Sequence, residues 1–201
     1  MNNIIGIVNY GITGNIYSIK QAIEAAGGKV IVINNAEQLN TVDKIVLPGV
    51  GSFKDAIKEL EADGLLEPLK KNTKPILGIC LGMQILSKTG FEYGETEGLG
   101  FIEADVKRMQ VDSVIPHMGF SKINISKNNA LLKNLEKEEF YFMHSYTVHN
   151  TQNVIATSTY ASFKFPSVIQ EGNIFGVQFH PEKSRKAGIK LFQNFINLEI
   201  I

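Results

Sequence analysis

Between Ile4 and Lys88 the chain alternates short apolar runs with helix-periodic segments, and that alternation restricts the fold more than any other feature. Ile4 to Asn9 reads as a buried strand, followed by a helix over Ser18 to Ala26 that Gly27-Gly28 end. Val30 to Ile33 and Lys44 to Leu47 are further strands, the second stopped by Pro48-Gly49. Phe53 to Glu61 places Phe53, Ala56, Ile57 and Leu60 on one helical stripe. Ile76 to Ile79 gives a fourth strand, with a helix over Leu81 to Lys88 after it. Strands and helices taking turns require crossover connections, hence a parallel sheet with helices on both faces. Ligands of such sheets gather at the carboxyl ends of the strands. The turns at Asn9-Tyr10-Gly11, Pro48-Gly49-Val50-Gly51 and Cys80 are therefore expected to converge on one site.

From about Phe101 the pattern changes. Short β-rich pieces (Phe101 to Met109, Lys122 to Ile125, Glu139 to Tyr146, Asn153 to Ser158, Ser167 to Glu171, Ile174 to Phe179) lie between turns such as Glu171-Gly172-Asn173. They read as antiparallel strands added to the parallel half. A closing helix over Ala187 to Leu198 carries Ile189, Leu191, Phe192, Phe195, Ile196 and Leu198. With no repeat, low-complexity stretch or linker, residues 1–201 are read as one domain.

Charge and cysteine usage narrow the function classes. Lys plus Arg and Asp plus Glu balance at 20 each, so no bulk attraction to nucleic acid or an anionic membrane is expected. No apolar run is long enough to cross a bilayer, and Met1-Asn2-Asn3-Ile4-Ile5 lacks the basic start and long apolar core of a signal peptide. A single cysteine rules out an intrachain disulfide and suits a reducing compartment. A soluble cytoplasmic protein is the expectation. One cysteine and four scattered histidines (His117, His144, His149, His180) give no zinc-ligand spacing, and no serine sits in a Gly-x-Ser-x-Gly frame. Neither a metal nor a cofactor is expected.

That cysteine stands in Gly78-Ile79-Cys80-Leu81-Gly82-Met83-Gln84, between a predicted strand and a predicted helix. Glycines at −2 and +2 relieve crowding at a sharp strand-to-helix turn of the nucleophile-elbow type. The N–H groups and positive dipole end of the next helix favour a thiolate and a developing oxyanion. Among the histidines, His180 is singled out by its own neighbours, Pro181 and Glu182. Proline stiffens the turn, and a carboxylate at +2 can fold back to fix the imidazole tautomer. Cys80, His180 and Glu182 thus complete a nucleophile, base and orienter, with His144 the reserve base. Pro48-Gly49-Val50-Gly51-Ser52-Phe53 fails both Gly-rich phosphate patterns. Glycines on both sides of Val50 would instead let its peptide swing and present its N–H to an oxyanion.

Together, the Cys80 run and Gly176-Val177-Gln178-Phe179-His180-Pro181-Glu182 resemble class I (triad) glutamine amidotransferases over essentially the whole chain. Within that class the chain is most similar to the glutaminase subunits of imidazole glycerol phosphate synthases. That narrower likeness rests on Tyr10-Gly11 with Gly14-Asn15, on Pro116-His117-Met118-Gly119, on Tyr141-Phe142-Met143-His144-Ser145-Tyr146 and on Lys183-Ser184. The resemblance implies a flavodoxin-like, mostly parallel sheet flanked by helices, with added antiparallel strands. It implies that Cys80 attacks the glutamine carboxamide, that His180 moves protons, and that Glu182 orients His180. The N–H groups of Val50 and Leu81 would hold the oxyanion, and Gly51, Gln84, Ser145 and Tyr146 would grip glutamine. Ammonia would pass to a separate (β/α)₈-barrel cyclase subunit, met by Asn15, Phe120, Tyr141 and Lys183.

Two departures fall at that partner face: one extra residue within Tyr10-Gly11-Ile12-Thr13-Gly14-Asn15, and Phe120-Ser121 where the family has Trp-Asn. A paralogue supplying ammonia for surface-sugar amidination, through a similar barrel, and a catalytically dead binding module stay open as alternatives.

Overall fold

The computed structural model describes residues 3–11 and 13–199. Ile12, inside the segment with the extra residue, and Met1-Asn2 of the amino-terminal reading lie outside the described residues. In chain order the elements are β1 (Ile4–Val8), α1 (Thr13–Ala25), β2 (Lys29–Ile33), β3 (Lys44–Leu47), α2 (Phe53–Ala62), α3 (Leu66–Lys70), β4 (Ile76–Ile79), α4 (Leu81–Ile85), β5 (Ser87–Gly90), β6 (Thr96–Glu97) and β7 (Ile102–Arg108). They continue with β8 (His117–Lys122), β9 (Asn124–Ile125), β10 (Glu139–His144), β11 (Tyr146–His149), β12 (Val154–Tyr160), β13 (Phe163–Glu171), β14 (Ile174–Val177) and α5 (Arg185–Ile196).

Eight strands form the main sheet in the order β2-β1-β3-β4-β14-β13-β12-β9. The first five run parallel, in the flavodoxin-like arrangement, and the last three are antiparallel additions. Strand periodicity sends alternate side chains to opposite faces. Ile5, Ile7, Val46, Leu77 and Ile79 pack with Ile19 and Ile23 of α1 and Leu191, Phe192 and Phe195 of α5. Ile45, Leu47 and Ile76 pack on the other face with Phe53, Ile57 and Leu60 of α2 and Leu81, Met83 and Ile85 of α4. The parallel half therefore has helices on both faces, as expected.

Three expectations need correction. The helix after Cys80 stops at Ile85, because Ser87–Gly90 pairs with Ile102–Val106 as a strand of a second sheet, β11-β7-β5-β6. Glu139 to Tyr146 is two strands: β10 pairs with β8 in a separate ribbon, and β11 joins the second sheet. β14 is not an antiparallel addition. It runs parallel to β4, with Val177 opposite Ile79.

A buried cation anchors α5. Lys44 is 1% exposed, and its Nζ donates to the carbonyls of Phe195 (3.0 Å), Ile196 (2.6 Å) and Leu198 (2.8 Å) at the helix's carboxyl end. The Ile196 and Leu198 carbonyls lie past the last turn of backbone bonds, and the cation also meets the negative dipole end. Replacing it by an apolar isostere takes the cation from all three carbonyls: Ile196 keeps the Asn3 amide and Phe195 the Leu198 N–H, while the Leu198 carbonyl loses its donor. Lys44→Met is expected to cost about 2–3 kcal/mol and lower Tm by roughly 5–10 °C, read by thermal denaturation. An unchanged Tm would mean that water replaces the ammonium without cost.

Candidate active site

β3, β4 and β14 are neighbours and parallel, so the segments leaving their carboxyl ends emerge side by side. Those segments are Pro48-Gly49-Val50-Gly51, Cys80 and Gln178-Phe179-His180. Cys80 takes φ 50° and ψ −104°, a strained conformation for a residue with a Cβ. Its N–H donates to the Val177 carbonyl at 2.7 Å, joining the elbow to the strand that delivers His180. The two flanking glycines have a steric cause. A Cβ on Gly78 would lie 2.5 Å from the Gly82 carbonyl, and one on Gly82 would collide with the Leu47 carbonyl. Gly49 is constrained in the same way, since its Cβ would strike the Ile79 carbonyl. Close packing of the loop on the elbow thus requires this glycine, whatever swing it permits. Gly51 has φ 117°, a conformation that L side chains rarely adopt.

His180 and Glu182 form a buried ion-pairing couple. Nδ1 lies 2.8 Å from Glu182 Oε1, and both side chains are fully enclosed. The turn that carries them is pinned on two sides. The His180 N–H donates to the Tyr141 carbonyl at 2.8 Å, and Ser184 Oγ donates to the His180 carbonyl at 2.6 Å while accepting from the Tyr141 N–H at 3.0 Å. Gly188 of α5 lies so close under Pro181 that a Cβ there would collide with the Pro181 carbonyl.

Burial pulls the His180 pKa down, but the Cys80 sulfur and then the Glu182 carboxylate outweigh it and raise it to about 10. His180 Nε2 is buried without a well-angled hydrogen bond among the described residues. Cys80 acts on the ring first through charge and then through its proximity as a hydrogen-bond partner. The arrangement favours the imidazolium form of His180.

Cys80 opens into a pocket of about 240 Å³ lined by Val50, Gly51, Leu81, Gln84, Ser145 and Tyr146, all of them residues expected there. A larger hollow of about 980 Å³ lies at the opposite end of the sheet, beside Pro75 and Asn173, and contains no cysteine or histidine. Two residues at the site escaped the sequence reading, one behind the sulfur and one in the pocket wall. Gln178, fully buried, donates through Nε2 toward Cys80 Sγ at 3.6 Å and accepts from Gln84 Nε2 at 3.3 Å. Its place between Val177 and Phe179 gave it the look of a core position, although a polar residue in such a run was a usable signal. Glu92 lines the pocket and accepts from the Phe53 N–H at 2.8 Å, at the amino end of α2. Burial holds its carboxyl above the ordinary range. Nothing local marked it, since it reaches the site from a loop of the second sheet.

His144, the reserve base, is buried, with Nδ1 taken by the Tyr146 carbonyl at 3.0 Å and Nε2 facing His117. Desolvation lowers its pKa to about 3, so it is a neutral ring with both nitrogens engaged. Of the four residues expected at a partner face, Phe120 and Tyr141 are cross-strand partners on the outer face of the β8–β10 ribbon, 5.4 Å between ring centroids. Lys183 Nζ sits 5.9 Å from the Tyr141 centroid. Asn15 is different. It is 5% exposed and donates through Nδ2 to Glu182 Oε1 at 3.0 Å, so it supports the carboxylate and offers little surface to a partner.

An α/β sheet of this topology, with a strained cysteine at the end of one strand and a buried His–carboxylate pair beyond the next, defines a thiol-dependent amide-cleaving class of site. The chain belongs to the class-I glutamine amidotransferase family, whose profile matches residues 7–198. It is 42% identical to imidazole glycerol phosphate synthase subunit HisH 1 of Campylobacter jejuni (strain RM1221), over 96% of this chain and 100% of that one. The HisH subunit of Methanocaldococcus jannaschii is also 42% identical, over 96% of this chain and 99% of its own length. Among solved structures, a putative GMP synthase subunit from Thermoplasma acidophilum superposes with a TM-score of 0.76 at 20% identity, covering 98% of this chain and 93% of that one. That likeness concerns the fold.

Proposed function

We propose that this chain is a cytoplasmic glutaminase subunit of one amidotransferase domain, which supplies ammonia to a (β/α)₈-barrel cyclase forming imidazole glycerol phosphate and AICAR in histidine biosynthesis. The observation that carries the chemistry is the enclosed His180–Glu182 pair beside a cysteine held at positive φ over a pocket. The Cys80 thiolate attacks the carboxamide carbon of glutamine, and the oxygen takes up negative charge against the N–H groups of Leu81 and Val50. The imidazolium of His180 gives its proton to the leaving nitrogen, so ammonia departs and a γ-glutamyl thioester remains. Neutral His180 then takes a proton from water as the water attacks the thioester, releasing glutamate and restoring the thiolate–imidazolium pair. Glu92 and Gln84, both in the pocket wall, offer acceptors for the substrate ammonium. Phe120, Tyr141 and Lys183 form the docking face for the barrel. The reading is tested in a strain lacking its own glutaminase subunit, which should grow without histidine at low ammonia when it carries this chain and its cyclase. The departure at Phe120-Ser121, of which Phe120 stands on the docking face, keeps surface-sugar amidination as a second reading, to which stimulation by that pathway's barrel alone would point.

Glu182→Gln is expected to lower kcat about tenfold to a hundredfold, well short of the ~10⁴ that a wrong tautomer costs. Asn15 Nδ2 and His180 Nδ1 both donate to Oε1, which keeps an oxygen at that position after the substitution and preserves the tautomer. The pH profile should also move. Because the folded pKa of His180, about 10, exceeds its ordinary 6.5, the pair's stabilisation is full below about pH 6.5 and is lost as pH rises through 10. Removing the carboxylate lowers the folded value, so the alkaline limb of kcat/KM should shift toward neutral pH. A limb unmoved in the variant would show that Glu182 does not set the charge of His180.

A further inference from the structure

His117 and His144 are buried, and neither takes part in the chemistry above. They face each other as a register pair of β8 and β10, and His117 stacks on Phe142 at 5.0 Å and on Tyr160 at 4.3 Å. Their proton positions follow from their partners. The Tyr146 carbonyl can only accept, so His144 Nδ1 carries the proton. His144 Nε2 is then an acceptor, and His117 Nδ1–H donates to it at 3.3 Å. His117 Nε2 in turn accepts from the Ser121 hydroxyl at 3.0 Å. The bonds therefore run one way, from Ser121 through His117 and His144 to the Tyr146 carbonyl. That carbonyl also accepts from Gln84 Nε2 at 3.0 Å. One end of the chain adjoins Phe120 on the ribbon's docking face, and the other reaches two residues that line the pocket.

We propose that His117 and His144 are positioning residues that tie the partner-facing ribbon to the glutamine pocket, so that the ribbon's placement sets glutamine affinity. The inference rests on the glutaminase reading above. Desolvation lowers both rings' pKa values, which keeps them neutral and preserves the one-way pattern, since a doubly protonated His144 could not accept from His117. Losing the His144 donor frees the Tyr146 carbonyl on one side only. Gln84 still holds the other side and still meets Gln178, whose amide faces the sulfur. The effect should thus fall on glutamine binding and leave the thiolate as it is.

The test uses the full chain carrying Cys80→Ala, with glutamine binding measured by calorimetry. His117→Phe keeps the stacking but removes the donor, and is expected to weaken binding about tenfold. His117→Asn places an amide where Nδ1 stood, and should stay within about twofold of the parent. With Cys80 intact, the rate of alkylation by iodoacetamide should be equal in both variants. Binding of His117→Phe equal to the parent, or of His117→Asn as weak as His117→Phe, would overturn the proposal, as would slowed alkylation. Should His117→Phe not fold, Ser121→Ala removes the outer bond at a half-buried position and is expected to weaken binding about threefold. An unchanged affinity there overturns the proposal as well. A Cys80→Ala parent that binds no glutamine would defeat the glutaminase reading, whereas a binding parent with an equally binding Phe variant defeats only this inference.

Discussion

Cys80→Ala will leave glutamine hydrolysis undetectable, a loss on the order of 10⁶-fold, while the partner's turnover with added ammonia continues. The sulfur is the only thiol in the chain, and no hydroxyl stands in an elbow frame to replace it. Free ammonia bypasses the step that the thiolate serves, so the two assays should separate cleanly. Alanine also suits the position sterically, being smaller than cysteine where φ is 50° and ψ −104°. The variant is therefore expected to fold and to bind its partner. Glutamate release by Cys80→Ala at a rate comparable to that of the unsubstituted chain would remove Cys80 from its role.

The second large effect is control by the barrel. Val50 lines the pocket between Gly49, pressed onto the elbow, and Gly51 at φ 117°. If the Val50 N–H faces away from the site in the free chain, one oxyanion donor is missing, at a cost on the order of 10²–10³ in rate. A partner that binds the donor-inward state more tightly shifts the population toward it. The ribbon is placed to carry such a signal: Tyr141 bonds the His180 turn through its backbone, and the Met143 carbonyl lies 3.8 Å from the Cys80 sulfur. The purified chain alone is expected to be a poor glutaminase, stimulated at least ~10²-fold by the barrel with its acceptor nucleotide. Phe120→Ala should reduce that stimulation with little change in Tm, because the ring is 38% exposed and braced mainly by Tyr141 and Arg185. Steady-state glutamate release with and without the partner decides the matter. Full activity of the chain alone would rule this control out.

Much of the parallel half was legible in the sequence because its signals are local. Lys44–Leu47 and Ile76–Ile79 have the predicted bounds, since each is a short apolar run closed by a turn residue or by the elbow. The same local reading failed at Ser87–Gly90, where pairing with a strand some fifteen residues onward overrides a helical pattern. It failed again at His117–Lys122, whose strand character comes from its pairing with β10.

The sequence by itself singled out Cys80 as the candidate nucleophile, His180 with Glu182 beside it, and the alternation that stacks strands in parallel, because each depends on neighbours within a few residues. Only the tertiary structure decided that β14 lies parallel beside β4, which brings His180 to Cys80 across a hundred residues of chain. It also decided that Asn15 serves Glu182, that Gln178 meets the Cys80 sulfur, that Glu92 reaches the pocket, and that His117 occupies His144 Nε2. Those assignments depend on which strands become neighbours and what they bury, and the period of a single segment carries no record of either.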